Sequence, residues 1–197
     1  MSITAEAQTM FANQNMLDAV GEGVPTTFDE LLSTGKKLKS GDVAGVAMRS
    51  KADGTAGSWP GGGFVFSNGG VIIQDGKCML DSPEAIEAIH YYGTILKEAG
   101  PLGVGNYHWY ECLNDYMQEV CAIGMDSSNF ATDIENPEKS NAAGHTTYGA
   151  MVSGPGKQAK PNMWHWMAGI NSKSQQKAAA FLFLTWANSK PTCLMSS

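Results

Sequence analysis

Helix-start signals alternate with short apolar runs along most of this chain, and that alternation constrains its fold more than any other feature. Thr27 and Glu30 stand three residues apart, the spacing of a capping box, in which each side chain bonds the other residue's backbone N–H. Ser82 and Pro83 supply a helix cap followed by a proline at the first helical position. Short apolar runs lie between the helical segments, and this arrangement predicts an α/β fold.

These signals predict helices and strands between residues 28 and 188. The spacing of apolar residues predicts helices at 28–39, 58–66, 83–99, 108–118 and 175–188, and strands at 44–48, 71–73, 120–125 and 148–152. The helix at 58–66 is predicted despite three consecutive glycines, each of which disfavours helix by about 1 kcal/mol relative to alanine. In the helix at 83–99, Ile86 and Ile89 are expected to face the core, as are Phe181 and Leu184 in the last helix.

The length, composition and charge of the chain limit the classes of protein to which it can belong. The chain has 197 residues, of which 43% are hydrophobic, enough to bury the core of one domain or of one domain and part of another. Its net charge of −6, without a dense Lys/Arg cluster, argues against a nucleic-acid partner. The densest basic run, at residues 36–39, is typical of a solvated helix face.

The hydrophobic runs of the sequence are short. The sequence has no run of 18 apolar residues, so no transmembrane helix is predicted. Residues 1–10 lack a basic region followed by an apolar run, so no signal peptide is predicted. On the sequence alone, the chain fits either a cytoplasmic product or one whose export sequence is not included.

The four cysteines give no sign of a metal site or a cofactor. Cys78, Cys112, Cys121 and Cys193 lack C-x-x-C spacing and have no histidine at zinc-like intervals. An even count permits disulfides, but a domain of this length does not require them. Cys121 lies in an apolar run and is interpreted as a small core residue. We therefore predict neither a metal nor a cofactor.

Two tryptophans near the C-terminus are the first candidates for ligand contact. Trp164 and Trp166 are two residues apart, as on one face of a strand, and they run into a Gly-Ile-Asn turn. Flat apolar rings suit the apolar faces of a sugar, while small polar groups suit its rim. The alternative is that at least one of these tryptophans belongs to the core, with His165 as a hydrogen-bonding residue at an interface.

A run of small polar residues follows the strand predicted at 120–125. Aspartate and asparagine can each bridge neighbouring sugar hydroxyls, and serine permits close approach of a ligand. The same residue types also cap the N-termini of helices, so capping is an equal alternative. The residues of this run are Asp126, Ser127, Ser128 and Asn129.

Six segments of the chain carry a resemblance to one protein family. They are VPTTFDELL at 24–32, NGG at 68–70, LDSPEAIEA at 80–88, AIGMD at 122–126, SGPG at 153–156, and GINSKS at 169–174 followed by AAAFL at 178–182. In this order and spacing, the chain resembles the extracellular solute-binding proteins of ABC transporters, the group that includes maltose- and other sugar-binding proteins. The resemblance covers roughly residues 10–191.

The resemblance implies a periplasmic-binding-protein-like (type II) fold, in which two α/β lobes are joined by a hinge and hold the solute between them. The chain corresponds to the second lobe, plus a displaced strand and helix of the first. We accordingly predict a lead-in segment at 1–24, a ligand-binding lobe at 25–163, and a hinge strand and helix at 164–197. The resemblance also implies an ABC permease as partner and a periplasmic or extracellular location.

The resemblance also implies that two further residues lie at the ligand cleft. Arg49 lies just after a predicted strand and could donate paired hydrogen bonds to hydroxyls or a carboxylate, with a solvated surface arginine as the alternative. Trp59 lies where a helix begins at the cleft, with a half-buried core tryptophan as the alternative. The three glycines at 61–63 and the lack of a bulky aromatic residue near Ser128 depart from the family's pattern.

The sequence is compatible with three functions. The first is binding of a sugar-like solute as a component of an ABC uptake system. The second is an assembly module that forms a homodimer through the strand and helix at 169–188, with little or no affinity for sugar. The third is an enzyme that uses the Cys112 thiol with His108, one helical turn away, and Glu111. No oxyanion device accompanies this third group, so we predict that the chain is not an enzyme.

Overall fold

The computed structural model describes residues 1–195 and divides the chain into two compact units. The larger unit runs from Ala7 to Asn162, and the smaller unit consists of Met1–Glu6 with the residues from Met163 onward. Residues 1–24, predicted as a lead-in segment, are divided between the two units. Residues 196 and 197 of the predicted segment at 164–197 lie outside the described residues.

The described residues form the elements of an α/β protein, as predicted. The strands are β1 (Ser2–Asn13), β2 (Ala44–Ala47), β3 (Ile73–Gln74), β4 (Lys77–Cys78), β5 (Cys121–Ser127), β6 (Thr146–Gly149) and β7 (Met163–Met167). The α-helices are α1 (Gln14–Val20), α2 (Phe28–Leu38), α3 (Gly62–Ser67), α4 (Pro83–Ala99), α5 (Trp109–Met117), α6 (Ala131–Ile134), α7 (Lys177–Ala187) and α8 (Lys190–Met195). A π-helical turn, Gly57–Gly61, leads directly into α3, and single 3-10 turns form at Val104–Asn106 and Ser128–Phe130.

The main sheet is built around β1, a strand that the sequence did not predict. The strand order is β2-β5-β1-β6, and β7 also pairs with β1. β2 and β5 are parallel, with Val46 opposite Ile123, whereas β1 is antiparallel to β5 and β6. Apolar and polar side chains alternate from Ser2 to Gln8, but two of the three apolar ones are alanine and the alternation ends at Met10 and Phe11, so the strand was not recognised.

Apolar side chains cover both faces of the sheet in the larger unit. Met10 of β1 packs into a core with Phe28 of α2 and Phe64 of α3. Phe11 belongs to a second core cluster, where Tyr116 of α5 packs edge-on against it with 4.7 Å between ring centroids. Successive residues of a strand point to opposite faces, so helices cover the sheet on both sides.

The capping box predicted at the start of α2 is confirmed. The Glu30 N–H donates to Thr27 Oγ1 at 3.2 Å, and the Thr27 N–H donates to Glu30 Oε2 at 3.2 Å. The N–H and hydroxyl of Thr26 donate to the same carboxylate oxygen at 2.7 Å, and these hydrogen bonds lower the pKa of Glu30. The box fixes the first turn of a helix that buries Phe28 and Leu31 against the sheet.

We expect Thr27→Ala to lower the free energy of unfolding by about 1 kcal/mol, the usual effect of removing a helix N-cap. Because the pKa of Glu30 is lowered in the folded state, its carboxylate stabilises the fold above the unfolded pKa, and this contribution is lost as the pH falls through the folded pKa. Urea unfolding at neutral pH measures the change. Ser33→Ala, which removes an exposed hydroxyl from the same helix, is the control, and an equal loss in both variants would contradict the capping role.

The predicted start of α4 is confirmed, but its buried face differs from the prediction. Ser82 Oγ accepts the Ala85 N–H at 3.3 Å, and Pro83 is the first helical residue. Ile86 and Ile89, expected to face the core, are 58% and 45% exposed. Small side chains form most of the buried face because α4 packs closely against α2 and β2. The residues of that face are Ala85, Ala88, Ile95, Leu96 and Ala99.

The glycine-rich segment predicted as a helix at 58–66 is helical. It begins as the π-helical turn, which contains Pro60 and buries Trp59, and it continues as α3 with Phe64 in the core. The strand predicted at 71–73 is shorter than expected and lies at β3. β3 pairs with β4 around a tight turn in which Asp75 and Gly76 both have positive φ.

In the smaller unit, β7, α7 and α8 have no buried residue among those described. Phe181 is 60% exposed and Leu184 is partly exposed, so the apolar side predicted for α7 meets no core within this unit. α7 begins at Lys177 rather than 175, and Ser174, the predicted cap, accepts the N–H of Gln176, which precedes the helix. Among the described residues, no helix combines the length and apolar character that crossing a membrane requires.

Candidate functional site

Arg49 and Asp126 meet at one edge of the sheet in the larger unit. β2 and β5 are parallel neighbours, so their carboxyl ends lie side by side, and ligands of open α/β folds bind at such edges. Arg49 comes two residues after β2, and Asp126 is the next-to-last residue of β5. The Arg49 Nε–H donates to Asp126 Oδ2 at 2.7 Å and Nη2 donates to Oδ1 at 2.5 Å, which makes a bidentate ion pair.

Both carboxylate oxygens of Asp126 accept hydrogen bonds within the protein. Its side chain is buried, and Oδ1 also accepts the Ser127 N–H at 2.7 Å. Burial raises the pKa of Asp126, while the hydrogen bonds from Arg49 and the Ser127 N–H act in the opposite direction. Arg49 keeps 14% of its side-chain surface exposed and has N–H donors that Asp126 does not use. Asp126 therefore orients the guanidinium, and Arg49 is the member of the pair that can reach a ligand.

Trp59 lies beside the guanidinium. It belongs to the π-helical turn and is only 6% exposed. The Arg49 Cζ lies 5.8 Å from the centre of the Trp59 ring, within the range of a cation–π interaction. Most of the indole thus packs into the protein, as the core alternative expects, while its ring contacts the only arginine of the chain.

The three residues that follow the ion-paired aspartate form a capped turn. Ser127 is buried, and its Oγ accepts the Asn129 N–H at 3.1 Å, so the capping considered as an alternative is present. Ser128 Oγ accepts the Ala7 N–H at 3.1 Å. Ser128 and Asn129 are exposed, and they present a hydroxyl and an amide at the same sheet edge as the ion pair.

Two polar residues of this region, Gln8 and Asn162, were missed from the sequence. Gln8 is buried in β1 directly opposite Ser127 of β5. Its N–H donates to the Asn162 carbonyl at 2.9 Å, and Asn162 Nδ2 donates to the carbonyls of Ser58 and Trp59 at 2.9 and 2.6 Å. The buried Gln8 Nε2 has no hydrogen-bond partner among the described residues. The only sequence signal was a glutamine and a glycine run, neither of which reveals a contact across the fold.

The remaining candidates, Trp164, His165 and Trp166, lie on β7 in the smaller unit. The two tryptophans are 50% and 55% exposed, and their rings pack edge-on with 6.2 Å between centroids. Trp166 Nε1–H donates to Glu6 Oε1 at 2.7 Å, and His165 Nδ1 lies 3.1 Å from Ser2 Oγ. The alternative, that at least one tryptophan belongs to a core, is not met among the described residues, since at least half of each side chain is exposed.

The geometry around Cys112 does not support a nucleophile. The thiol is buried in one cluster with Cys121, and burial raises its pKa. Glu111 accepts the backbone N–H of His108 at 2.9 Å in a capping contact at the start of α5. A thiol is reactive as the thiolate, and burial of this kind disfavours that form. Among the described residues, no three His, Cys, Asp or Glu side chains are grouped to hold a metal ion.

The chain matches one protein family along nearly its whole length. The family model described as "Bacterial extracellular solute-binding protein" aligns with residues 3–192. The erythritol/L-threitol-binding protein of Mycolicibacterium smegmatis is 26% identical over 111 residues, which are 56% of this chain and 23% of that protein. The mannitol-binding protein of Pseudomonas aeruginosa is 30% identical over 107 residues, which are 53% of this chain and 24% of that protein.

The fold is shared with a solved structure, the ABC transporter solute-binding protein of Agrobacterium radiobacter K84 in complex with ribitol. The two superimpose with a TM-score of 0.89 at 26% identity over 98% of this chain and 49% of that one. The chain therefore spans less than half the length of each of these three proteins. The predicted fold, one lobe of a periplasmic-binding-protein-like structure, is confirmed. Because the family model aligns with residues 3–192, the chain belongs to the family of bacterial extracellular solute-binding proteins.

Proposed function

We propose that this chain is the solute-binding component of an ABC uptake system and that it binds a sugar or sugar alcohol, without chemistry, at the sheet edge that carries Arg49. The observation that supports this is a guanidinium held by a buried carboxylate on one side and by the Trp59 ring on the other. Held in this way, the free N–H donors of Arg49 keep one orientation, which suits a pair of neighbouring hydroxyl groups.

The predicted site residues divide into those that contact the solute and those that hold the contacts in place. Asp126 and Ser127 hold Arg49 and the turn that follows β5, since both side chains are buried. Exposed groups of the larger unit donate and accept hydrogen bonds, and Trp59 packs against the carbon skeleton of the solute. The proposed contacts of the larger unit are Arg49, Trp59, Ser128 and Asn129. Trp164, His165 and Trp166 of the smaller unit are proposed separately, as two rings and a hydrogen-bonding group suited to a sugar.

The relatives point to linear polyols as the first ligands to try. Two of them are named for erythritol/L-threitol and for mannitol, and the solved relative contains ribitol. A polyol offers neighbouring hydroxyls to Arg49 and a carbon chain to Trp59. By family, we also propose an ABC permease as partner and a location outside the cytoplasm, in the periplasm or at the cell exterior.

Binding to these 197 residues is expected to be weak. In proteins of this type the solute stabilises a closed state, because both lobes contact it only there. The chain spans about half of the solved relative and supplies one ligand-facing lobe. We therefore expect a Kd of about 1 mM or higher, equivalent to a binding free energy of about 4 kcal/mol or less.

Chemical-shift titration of the 15N-labelled chain with ribitol, mannitol and erythritol measures this affinity. Arg49→Lys keeps the charge but loses the planar fork, so we expect binding to weaken about tenfold. Lys36→Arg, at an exposed ion pair on α2, is the control and should bind like the unmodified chain. Equal affinity of Arg49→Lys and the unmodified chain would contradict the role of the guanidinium. Sub-micromolar binding by a proven monomer would contradict the one-lobe account.

A second candidate function is assembly, and the exposed apolar side chains of the smaller unit favour it. Phe181, Phe183 and Trp186 of α7 are each about 60% exposed in the described chain. Apolar surface of this extent is normally covered by another element or another molecule. Exchange of the segment at 169–188, which holds α7, between two copies would cover it and form a homodimer. The strand predicted within this segment lies before it, at β7.

Light scattering decides whether such a dimer forms. The assembly proposal expects a species of twice the chain mass at micromolar concentration. Phe183→Ser with Trp186→Ser should restore the monomer, whereas Thr185→Ser on the same helix should not. A single species of 21.0 kDa for the unmodified chain would eliminate this candidate.

A further inference from the structure

We propose that Gln8 and Asn162, together called the amide clamp, are positioning residues that hold Trp59 in place for ligand binding. The inference rests on the proposed function, in which Trp59 contacts the solute. Both residues belong to the larger unit, close to the two points at which the chain enters and leaves it. Their contacts, and the glycines beside them, carry the inference.

Asn162 is bonded to the backbone turn that carries Trp59. Its Nδ2 donates to the Ser58 carbonyl at 2.9 Å and to the Trp59 carbonyl at 2.6 Å. An amide nitrogen has two N–H donors, so both are used within this one turn. The peptide groups on either side of the Trp59 Cα are therefore held by a residue that lies about a hundred positions away in the sequence.

Gln8 and Asn162 also hold each other. The Gln8 N–H donates to the Asn162 carbonyl at 2.9 Å, and the Asn162 N–H donates to Gln8 Oε1 at 3.4 Å. Gln8 is the direct cross-strand neighbour of Ser127. The amide clamp therefore links the strand beside the 126–129 segment to the turn of Trp59, which are the two sides of the proposed site.

Gly62 and Gly63 make room for the clamp. A Cβ on Gly63 would lie 1.9 Å from Gln8 Oε1, and a Cβ on Gly62 would lie 2.7 Å from Asn162 Nδ2. Neither glycine has a positive φ, so space rather than backbone conformation requires glycine at these positions. Gly57, at the start of the same turn, has no neighbour within 4 Å of an added Cβ. Two glycines of the run that departs from the family's pattern, Gly62 and Gly63, are thus explained by the amides packed against them.

A fixed Trp59 matters for affinity because a site whose groups are already in place loses less conformational freedom when the ligand binds. The ring also contacts the Arg49 guanidinium, so a displaced turn would disturb both proposed contacts at once. Loosening the amide clamp should therefore weaken binding although neither Gln8 nor Asn162 is proposed to touch the solute.

The test compares Asn162→Asp and Gly63→Ala with two controls. Aspartate has nearly the size of asparagine but lacks its N–H donors. Asn162→Asp therefore removes the hydrogen bonds to the Trp59 turn without leaving a cavity. Gly57→Ala adds the same methyl group in open space, and Asn141→Ala removes an exposed amide elsewhere in the larger unit. The readouts are the Trp59 indole N–H resonance of each 15N-labelled chain, assigned with Trp59→Phe, and the affinity for ribitol.

In Asn162→Asp and Gly63→Ala we expect the Trp59 indole resonance to shift or broaden and ribitol to bind about 5- to 10-fold more weakly, as loss of one or two hydrogen bonds would produce. Both controls should keep the original values. An unchanged Trp59 resonance in a folded Asn162→Asp chain would overturn the clamp, and this variant decides alone if Gly63→Ala does not fold. The indole resonance is measured without ligand, so it tests the amide clamp independently of ribitol binding. If ribitol shifts no resonance of the unmodified chain, the proposed function is overturned, and the indole resonance still decides whether the clamp exists.

Discussion

Asp126→Ala is expected to lower the free energy of unfolding by about 3–5 kcal/mol, because removing one partner of a buried ion pair leaves the other charge uncompensated. The Arg49 guanidinium would lose two charge-assisted hydrogen bonds, and with 14% of its side-chain surface exposed it could recover little of their value from water. The Ser127 N–H would also lose the acceptor Oδ1. Denaturant unfolding of the purified variant measures the loss.

Asp133→Ala is the matched control for this substitution. Asp133 also forms an ion pair, with Lys139 at 2.6 Å, but the two side chains are 44% and 57% exposed. Ion pairs exposed to this degree contribute about 0–1 kcal/mol, so little stability should be lost. If Asp126→Ala lost no more stability than Asp133→Ala, the buried pair would not be the structural centre of the site.

Gly45→Ala is the second substitution with a large expected effect. A Cβ on Gly45 would lie 1.8 Å from the carbonyl oxygen of Gly35 in α2. That oxygen belongs to the helix backbone and cannot rotate away as a side chain can, so α2 would have to move off β2. We expect a loss of about 3 kcal/mol in the free energy of unfolding, at the upper end of the range for overpacked cores.

Gly93→Ala provides the comparison, since it adds the same methyl group in the middle of α4 with no atom within 4 Å of it. Alanine favours helix over glycine by about 1 kcal/mol, so this variant should be as stable as the unmodified chain or more so. Thermal or denaturant unfolding of the two variants side by side gives the difference. Stability of Gly45→Ala equal to that of Gly93→Ala would contradict the close approach of α2 to β2.

Local signals in the sequence were sufficient to predict where α2 and α4 begin. The capping residues Thr27 and Ser82 act on backbone groups within a few positions of themselves, so their effect can be inferred without knowing the fold. The buried face of α4 could not be inferred in the same way. Ile86 and Ile89 are more hydrophobic than Ala85, yet the tight packing of α4 selects the smaller residue.

β1 was not recognised from the spacing of its apolar residues. The strand lies at the centre of the sheet, but it includes the polar residues Gln8 and Asn13, both of which are buried. Asn13 is needed there because its side chain caps α1 and bonds Glu119 at 2.8 Å. A buried polar residue such as Asn13, whose partner is distant in sequence, interrupts the apolar pattern by which a buried strand is recognised.

Residues of the candidate site could be predicted from the sequence, but the contacts between them could not. Arg49 and Asp126 were both identified from the sequence, each as a group that would contact a ligand. The parallel pairing of β2 with β5 brings them together and buries Asp126, and no local pattern of residues encodes that register. For the same reason, the need for glycine at 62 and 63 could not be inferred from the sequence, because Asn162 and Gln8, which pack against these positions, are distant in the chain.

The central claim, that the larger unit binds a polyol through Arg49, is tested most directly by the side-chain Nε–H resonance of that residue. Arg49 is the only arginine of the chain, so a 15N-labelled sample gives one such resonance, without overlap from others. We expect ribitol to shift this resonance in a saturable manner, together with the Trp59 indole N–H and the backbone amides at 126–129. Absence of any shift at high millimolar ribitol, or shifts confined to residues remote from Arg49, would contradict the account.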